Sequence, residues 1–127
     1  MSVTSRTILV CDDDELLVDL LQFRLEARGF EVLIARDGGQ AVNMAVDERP
    51  DAIVLDAMMP VMNGEQVLRT LRAGDRGRDI PVIMLTARRQ ERDIVGALEL
   101  CANDYLLKPF IPEELITRLT RLVEAAR

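Results

Sequence analysis

Five short apolar runs recur along the chain, at residues 7–11, 31–35, 52–55, 82–85 and 105–107. They are mostly continuous rather than alternating, the pattern of strands in a parallel sheet covered on both faces. Between them, apolar positions return at helical spacing. Leu17, Leu21 and Leu25 recur every four residues with Leu16 and Leu20 beside them, and Gly29 ends that helix. Residues 40–47 carry Ala41, Met44 and Ala45, and Pro50 closes the link that follows. Val67, Leu68 and Leu71 form a stripe before Gly74, and Ile94, Val95 and Leu98 form another. Pro112 opens the last helix at a first-turn position, with Leu115, Leu119, Leu122 and Ala126 as its buried face. Asn63-Gly64 is a common hairpin signal, but a helical stripe follows it, so it reads as a loop entering a helix. The order is β-α repeated five times. It predicts an α/β fold with a parallel sheet, right-handed crossovers and helices on both faces.

The length of 127 residues predicts a single domain over residues 1–127, with no second domain or linker, and is enough for one hydrophobic core. Aromatics are only 3% of the chain, so that core must come from Leu, Val, Ile, Met and Ala. A net charge of −6 argues against nucleic acid as a direct partner and against a polybasic membrane anchor. No apolar run reaches the length of a membrane span, and residues 1–7 carry no secretory apolar segment. Cys11 and Cys101 are too few for a disulfide framework and read as buried free thiols in a reducing cytosol, so the expected location is cytoplasmic. The chain has no histidine. That excludes Ser-His-Asp and Cys-His catalysis, histidine metal ligands and a histidine phosphodonor. Its chemistry must run on carboxylates, hydroxyls, lysine and a hard metal.

In open α/β sheets, ligands bind beyond the carboxyl ends of the strands, where strand order reverses. The first strand ends in Asp12-Asp13-Asp14, the third in Asp56, the fourth in Thr86 and the fifth in Lys108-Pro109. The second ends in Ala35-Arg36, which carries no such chemistry. Carboxylates gathered in one place repel one another unless some protonate or a cation intervenes. Mg²⁺ suits this set: it takes one or two carboxylates, keeps several waters and accepts phosphate oxygens. Asp56 then becomes a candidate nucleophile, Thr86 a donor to a phosphoryl oxygen and Lys108 a point charge beside it. Singly, each residue has an ordinary role: Asp14 is a good helix cap, an acidic run suits a helix N-terminus, and a lone Thr or Lys belongs to loop or surface. Their arrival at successive strand ends is what singles them out.

These residues fall in four ordered segments: Ile8-Leu-Val-Cys-Asp-Asp-Asp-Glu, Asp51-Ala-Ile-Val-Leu-Asp-Ala-Met-Met-Pro-Val-Met-Asn-Gly, Pro81-Val-Ile-Met-Leu-Thr-Ala-Arg and Asn103-Asp-Tyr-Leu-Leu-Lys-Pro-Phe. Together they make the chain similar, over essentially its whole length, to response-regulator receiver domains of two-component phosphorelays. The resemblance implies a flavodoxin-like five-stranded sheet of order 2-1-3-4-5. It implies phosphorylation on Asp56 by a sensor histidine kinase or histidine phosphotransfer protein. Mg²⁺, for which Mn²⁺ can substitute, would be held by Asp12, Asp13, Asp56 and the backbone carbonyl of Met58. Thr86, Lys108 and Tyr105 match the phosphoryl-binding and switch positions, and Lys108-Pro109 the cis peptide bond. On phosphorylation Thr86 would move toward the phosphoryl group and Tyr105 turn inward. The face made by the fourth helix, fifth strand and fifth helix would then change toward a downstream effector. The first helix, about Leu16 to Arg24, would dock the kinase. Met58 and Arg88 match positions that tune phosphoryl lifetime, and an apolar Met58 implies a long-lived phosphoryl group. Asp104 and Arg118 resemble positions used for dimer salt bridges through that output face; as residues alone they read as surface charge.

Cys101 departs from the pattern, since glycine is usual there, and a positive φ would strain it. The residues also bear on rival functions. A haloacid-dehalogenase-type phosphatase needs a second Asp where Met58 stands. A flavin carrier needs a glycine- and hydroxyl-rich phosphate loop where three carboxylates stand. An unphosphorylated scaffold would usually have lost part of the acidic cluster, Thr or Lys. The expected protein is therefore not an enzyme beyond its own phosphorylation and dephosphorylation, and no effector domain accompanies it in this chain.

Overall fold

A strand covered on both faces sends successive side chains alternately to one core and the other, and the computed structural model has this division. It describes residues 6–87 and 102–125. In chain order the elements are β1 (Thr7–Cys11), α1 (Glu15–Ala27), β2 (Glu31–Ala35), α2 (Gly38–Glu48), β3 (Ala52–Asp56), α3 (Gly64–Ala73), β4 (Val82–Ala87), β5 (Asp104–Lys108) and α4 (Pro112–Ala125). The helix expected about Ile94, Val95 and Leu98 lies outside the described residues, as do Arg88, Cys101 and Ala126, so α4 is the helix expected after the fifth strand. The strands form one parallel sheet in the order β2-β1-β3-β4-β5.

On one face Leu9, Cys11, Ile53, Leu55, Val82 and Met84 pack against Ala41 and Ala45 of α2 and Val67, Leu68 and Leu71 of α3. On the other, Ile8, Val10, Ala52, Val54, Ile83, Leu85 and Leu106 meet Val18, Leu21 and Leu25 of α1 and Leu115, Ile116, Leu119 and Val123 of α4. Each fully buried aliphatic side chain contributes about 1.5–3 kcal/mol, so both layers hold the strand ends in place.

The helical stripes are narrower than the leucine count suggests. In α1 the buried positions are Val18, Leu21 and Leu25, while Leu16 is 83% exposed and Leu20 also reaches solvent. A helix lying on a sheet buries one stripe, and Leu16 sits outside it in the first turn. In α4, Val123 takes the buried place and Leu122 is half-buried. Three strands run past their apolar runs, so that Asp56, Thr86 and Lys108 lie within β3, β4 and β5.

The β3–α3 loop is tight. Asn63 caps α3, accepting from the Gln66 amide while the Gln66 side chain accepts from the Asn63 amide. Before it, the Met62 amide donates to Pro60 O at 2.9 Å, a γ-turn whose central residue, Val61, has φ +72°. A β-branched residue is strained there. Val61→Asn, which tolerates this region, is expected to raise stability by about 1 kcal/mol in urea denaturation; an unchanged or lower midpoint would count against strain at this turn.

Candidate functional site

The sheet order reverses direction between β1 and β3, and the carboxyl ends of these two strands form the floor of the site. The Asp12 amide continues the β1–β2 ladder by donating to Ala35 O at 3.1 Å, so Asp12 is held as firmly as a strand residue and is fully buried. Its Oδ1 accepts from the Asp14 amide at 3.0 Å and its Oδ2 from Lys108 Nζ at 3.0 Å. Asp13, next along, is exposed. Asp14 turns to local work: its Oδ1 accepts from the Leu16 and Leu17 amides, capping α1.

Asp56 closes β3 with 5% exposure. Lys108 Nζ stands 3.3 Å from its Oδ1, so one ammonium serves both buried carboxylates. Burial pushes the Asp56 carboxyl up to about 6, and the nearby Asp12 charge pushes the same way; Lys108 and a backbone hydrogen bond from Met58 oppose them. Burial also works against the charged form of Lys108, but the charge of Asp56 and the hydrogen bond to Asp12 outweigh it, and its pKa is raised. The ammonium therefore stays charged at neutral pH.

One oxygen each from Asp12, Asp13 and Asp56 lies within 4.8 Å of the others. Three hard oxygens, two fixed in the floor and one at the solvent edge, fit a small divalent cation that keeps part of its water. Thr86 is buried on β4, one residue beyond Leu85, the register partner of Asp56; Lys108 is paired with Ala87. Tyr105 lies earlier on β5, opposite Met84, half-buried against the α2–α3 core. The Met58 side chain is exposed in the loop after β3. The Lys108–Pro109 bond is cis. Asp104 and Arg118 meet within one chain at 2.9 Å, and Arg118 also bonds Glu114 at 2.8 Å.

Reading residues alone missed how the site's loop is held. Gly64 begins α3 where an added Cβ would stand 2.4 Å from Asp56 O, so only glycine admits this approach. The Asn63-x-x-Gln66 spacing was a legible capping signal; the Gly64 contact had no local signal.

The family described as the response regulator receiver domain matches residues 8–120. The chain is 47% identical to the transcriptional regulatory protein PrrA of Mycobacterium tuberculosis over 121 residues, 95% of this chain and 51% of that protein. It is 44% identical to the alkaline phosphatase synthesis transcriptional regulatory protein PhoP of Bacillus subtilis over 119 residues, 94% of this chain and 49% of that protein. It thus spans about half the length of the curated relatives it matches. Among solved structures, the receiver domain of a sensor histidine kinase from Pseudomonas aeruginosa, described with a magnesium ion coordinated in its active-site cleft, has a TM-score of 0.87 at 36% identity, covering 95% of this chain and 99% of that one. A Francisella response regulator receiver domain has a TM-score of 0.88 at 34% identity, covering 97% of this chain and all of that one. With its sheet order and acidic floor, the chain belongs to the response regulator receiver domain family of two-component signalling.

Proposed function

We propose that Asp56 accepts a phosphoryl group from a sensor histidine kinase or a histidine phosphotransfer protein. The observation that carries this reading is one buried carboxylate, Asp56, sharing the Lys108 ammonium with Asp12 inside a three-carboxylate cluster. An Asp56 oxygen attacks the donor phosphorus as the donor's P–N bond breaks, and the phosphoryl group stays on the carboxylate. Mg²⁺, or Mn²⁺ in its place, would be held by Asp12, Asp13, Asp56 and the Met58 carbonyl and would supply positive charge to the phosphoryl oxygens. Lys108 neutralises a further oxygen. Thr86 donates a hydrogen bond to another, and Tyr105 turns inward with it.

The changed surface would then be β5, α4 and the helix expected before them. A downstream partner reads that surface, and α1 docks the donor. The protein acts in the cytoplasm and turns over no external substrate. Because Asp104 and Arg118 already pair within one chain, their geometry favours the surface-charge reading over a dimer salt bridge.

Incubation with a small acyl-phosphate donor and Mg²⁺ is expected to add one phosphoryl mass to the wild type, and none to Asp56→Ala or to wild type in chelator. Equal labelling of Asp56→Ala would overturn the assignment. Failure of the wild type to label from both the small donor and a cognate kinase would favour a phosphorylation-independent scaffold.

A further inference from the structure

The loop between β3 and α3 carries Met58; its first end is pinned to the sheet and its last end to the first. The Ala57 amide donates to Leu85 O at 2.8 Å, and the Gly64 amide to Ala57 O at 3.0 Å. The middle of the loop rests on a different element. Gly38, the first residue of α2, donates its amide to Pro60 O at 3.2 Å. A Cβ on Gly38 would lie 2.1 Å from Met62 O, 2.5 Å from Met62 Cβ and 2.8 Å from Met62 C. Its φ lies outside the left-handed range, unlike that of Gly29 at +90°. Gly38 is therefore glycine for close approach, not for backbone conformation. The contact atoms are mainly backbone, which cannot rotate aside. Nor is α2 free to retreat: Ala41 and Ala45 are buried in the core, and Asp37 caps the helix by accepting from the Gln40 amide at 2.8 Å.

We infer that Gly38 is a positioning residue for the metal site: by lacking a side chain it lets the loop seat directly on α2, and that seating sets where the Met58 carbonyl stands relative to the carboxylates. This rests on the metal reading of Asp12, Asp13, Asp56 and Met58. An added methyl at Gly38 must push the middle of the loop away while both its ends stay fixed, and the displacement falls on the span between Ala57 and Gly64. The neighbouring Gly39 makes a built-in contrast. A Cβ there would meet Asp37 Oδ1 at 3.3 Å and Val61 Cγ1 at 3.7 Å, contacts that small side-chain shifts absorb.

The test is Mg²⁺ affinity of the 127-residue chain by titration calorimetry, with no phosphoryl donor present. Gly38→Ala is expected to weaken Mg²⁺ binding about tenfold, the usual cost of disturbing what orients a metal ligand. Gly39→Ala is expected to bind as the wild type does. So is Val123→Ala, which loses core packing in α4, far along the chain from the loop. Wild-type affinity in Gly38→Ala, or equal weakening in Val123→Ala, would overturn the inference. If Gly38→Ala does not fold in buffer, the titration is repeated for both proteins in a stabilising osmolyte: affinity weakened about tenfold against wild type in the same solution supports the seating, and equal affinity overturns it. Absence of Mg²⁺ binding in the wild type would instead sink the metal reading, and the inference with it. Wild-type binding that is lost in Asp13→Asn shows that reading intact, so that only the Gly38 result is then at issue.

Discussion

Lys108→Ala is expected to destabilise the metal-free protein by about 2–4 kcal/mol and to slow phosphoryl labelling about a hundredfold. The ammonium is the cation that the structure places on both buried carboxylates, 3.0 Å from Asp12 Oδ2 and 3.3 Å from Asp56 Oδ1. Removing it leaves two like charges facing each other, with the amides of Asp14 and Met58 as the remaining donors described on them. Truncating one partner of a buried pair costs more than the pair is worth, because the other charge stays behind. Lys108 is itself 29% exposed, so water enters the gap and the loss falls below that of a fully enclosed pair. A lysine with a raised folded pKa contributes its stability below its ordinary value near 10.5, so the contribution is present in full at pH 7. Urea denaturation in chelator and in saturating Mg²⁺ checks this. The variant should gain more from Mg²⁺ than the wild type does, because the ion supplies the missing charge. Equal midpoints for the two proteins in chelator would show that Lys108 is not the counterion of this pair.

Asp56→Asn should move the other way, making the metal-free protein more stable at pH 7 while abolishing labelling. The folded Asp56 carboxyl titrates near 6, above its ordinary 3.8. Between those values the native state holds a proton that the unfolded chain has released. The contribution of Asp56 to stability is therefore intact below pH 4 and is lost as pH rises through 6. Above that window the ionised group is a burden, and a neutral amide of the same shape removes it. A pKa unit corresponds to about 1.4 kcal/mol. Allowing for solvent screening at the site's mouth, the gain is about 1–2 kcal/mol at pH 7 and close to nothing at pH 4. Saturating Mg²⁺ should shrink the gain, since the wild type then binds an ion that the variant binds poorly. Thermal melts at the two pH values, with and without chelator, test each part. A variant less stable than wild type at pH 7 in chelator would mean that the Asp56 charge is already fully compensated.

Much of this was legible in the amino-acid order, and the reason is geometric. A parallel sheet buried on both sides needs unbroken apolar runs, so Asp12, Asp56 and Lys108 stand out as the residues that end or interrupt them. What patterns could not show were contacts between segments distant in sequence. Gly38 precedes the apolar stripe of its helix, and nothing around it in sequence marks the close approach of Met62. Val61, an apolar residue in a loop, carries no sign of its left-handed backbone. The leucines of α1 outnumber the places its stripe offers, and only packing decides that Val18 enters the core while Leu16 does not. Asp56 and Lys108 lie just past the apolar runs of their strands and are still paired in the ladder, with Leu85 and Ala87, because register there is carried by the backbone and not by side-chain polarity.

β5 stands last in the sheet order, and an outermost strand offers its main chain to any other extended segment. At Tyr105 that offer is already taken up: its amide donates to Asp104 Oδ1 at 2.8 Å, its carbonyl accepts from Arg118 Nη1 at 3.0 Å, and the same arginine nitrogen meets Asp104 at 2.9 Å. The two side chains close over the backbone like a clasp. A foreign strand seeking to pair with β5 at Tyr105 would first have to open this ion pair.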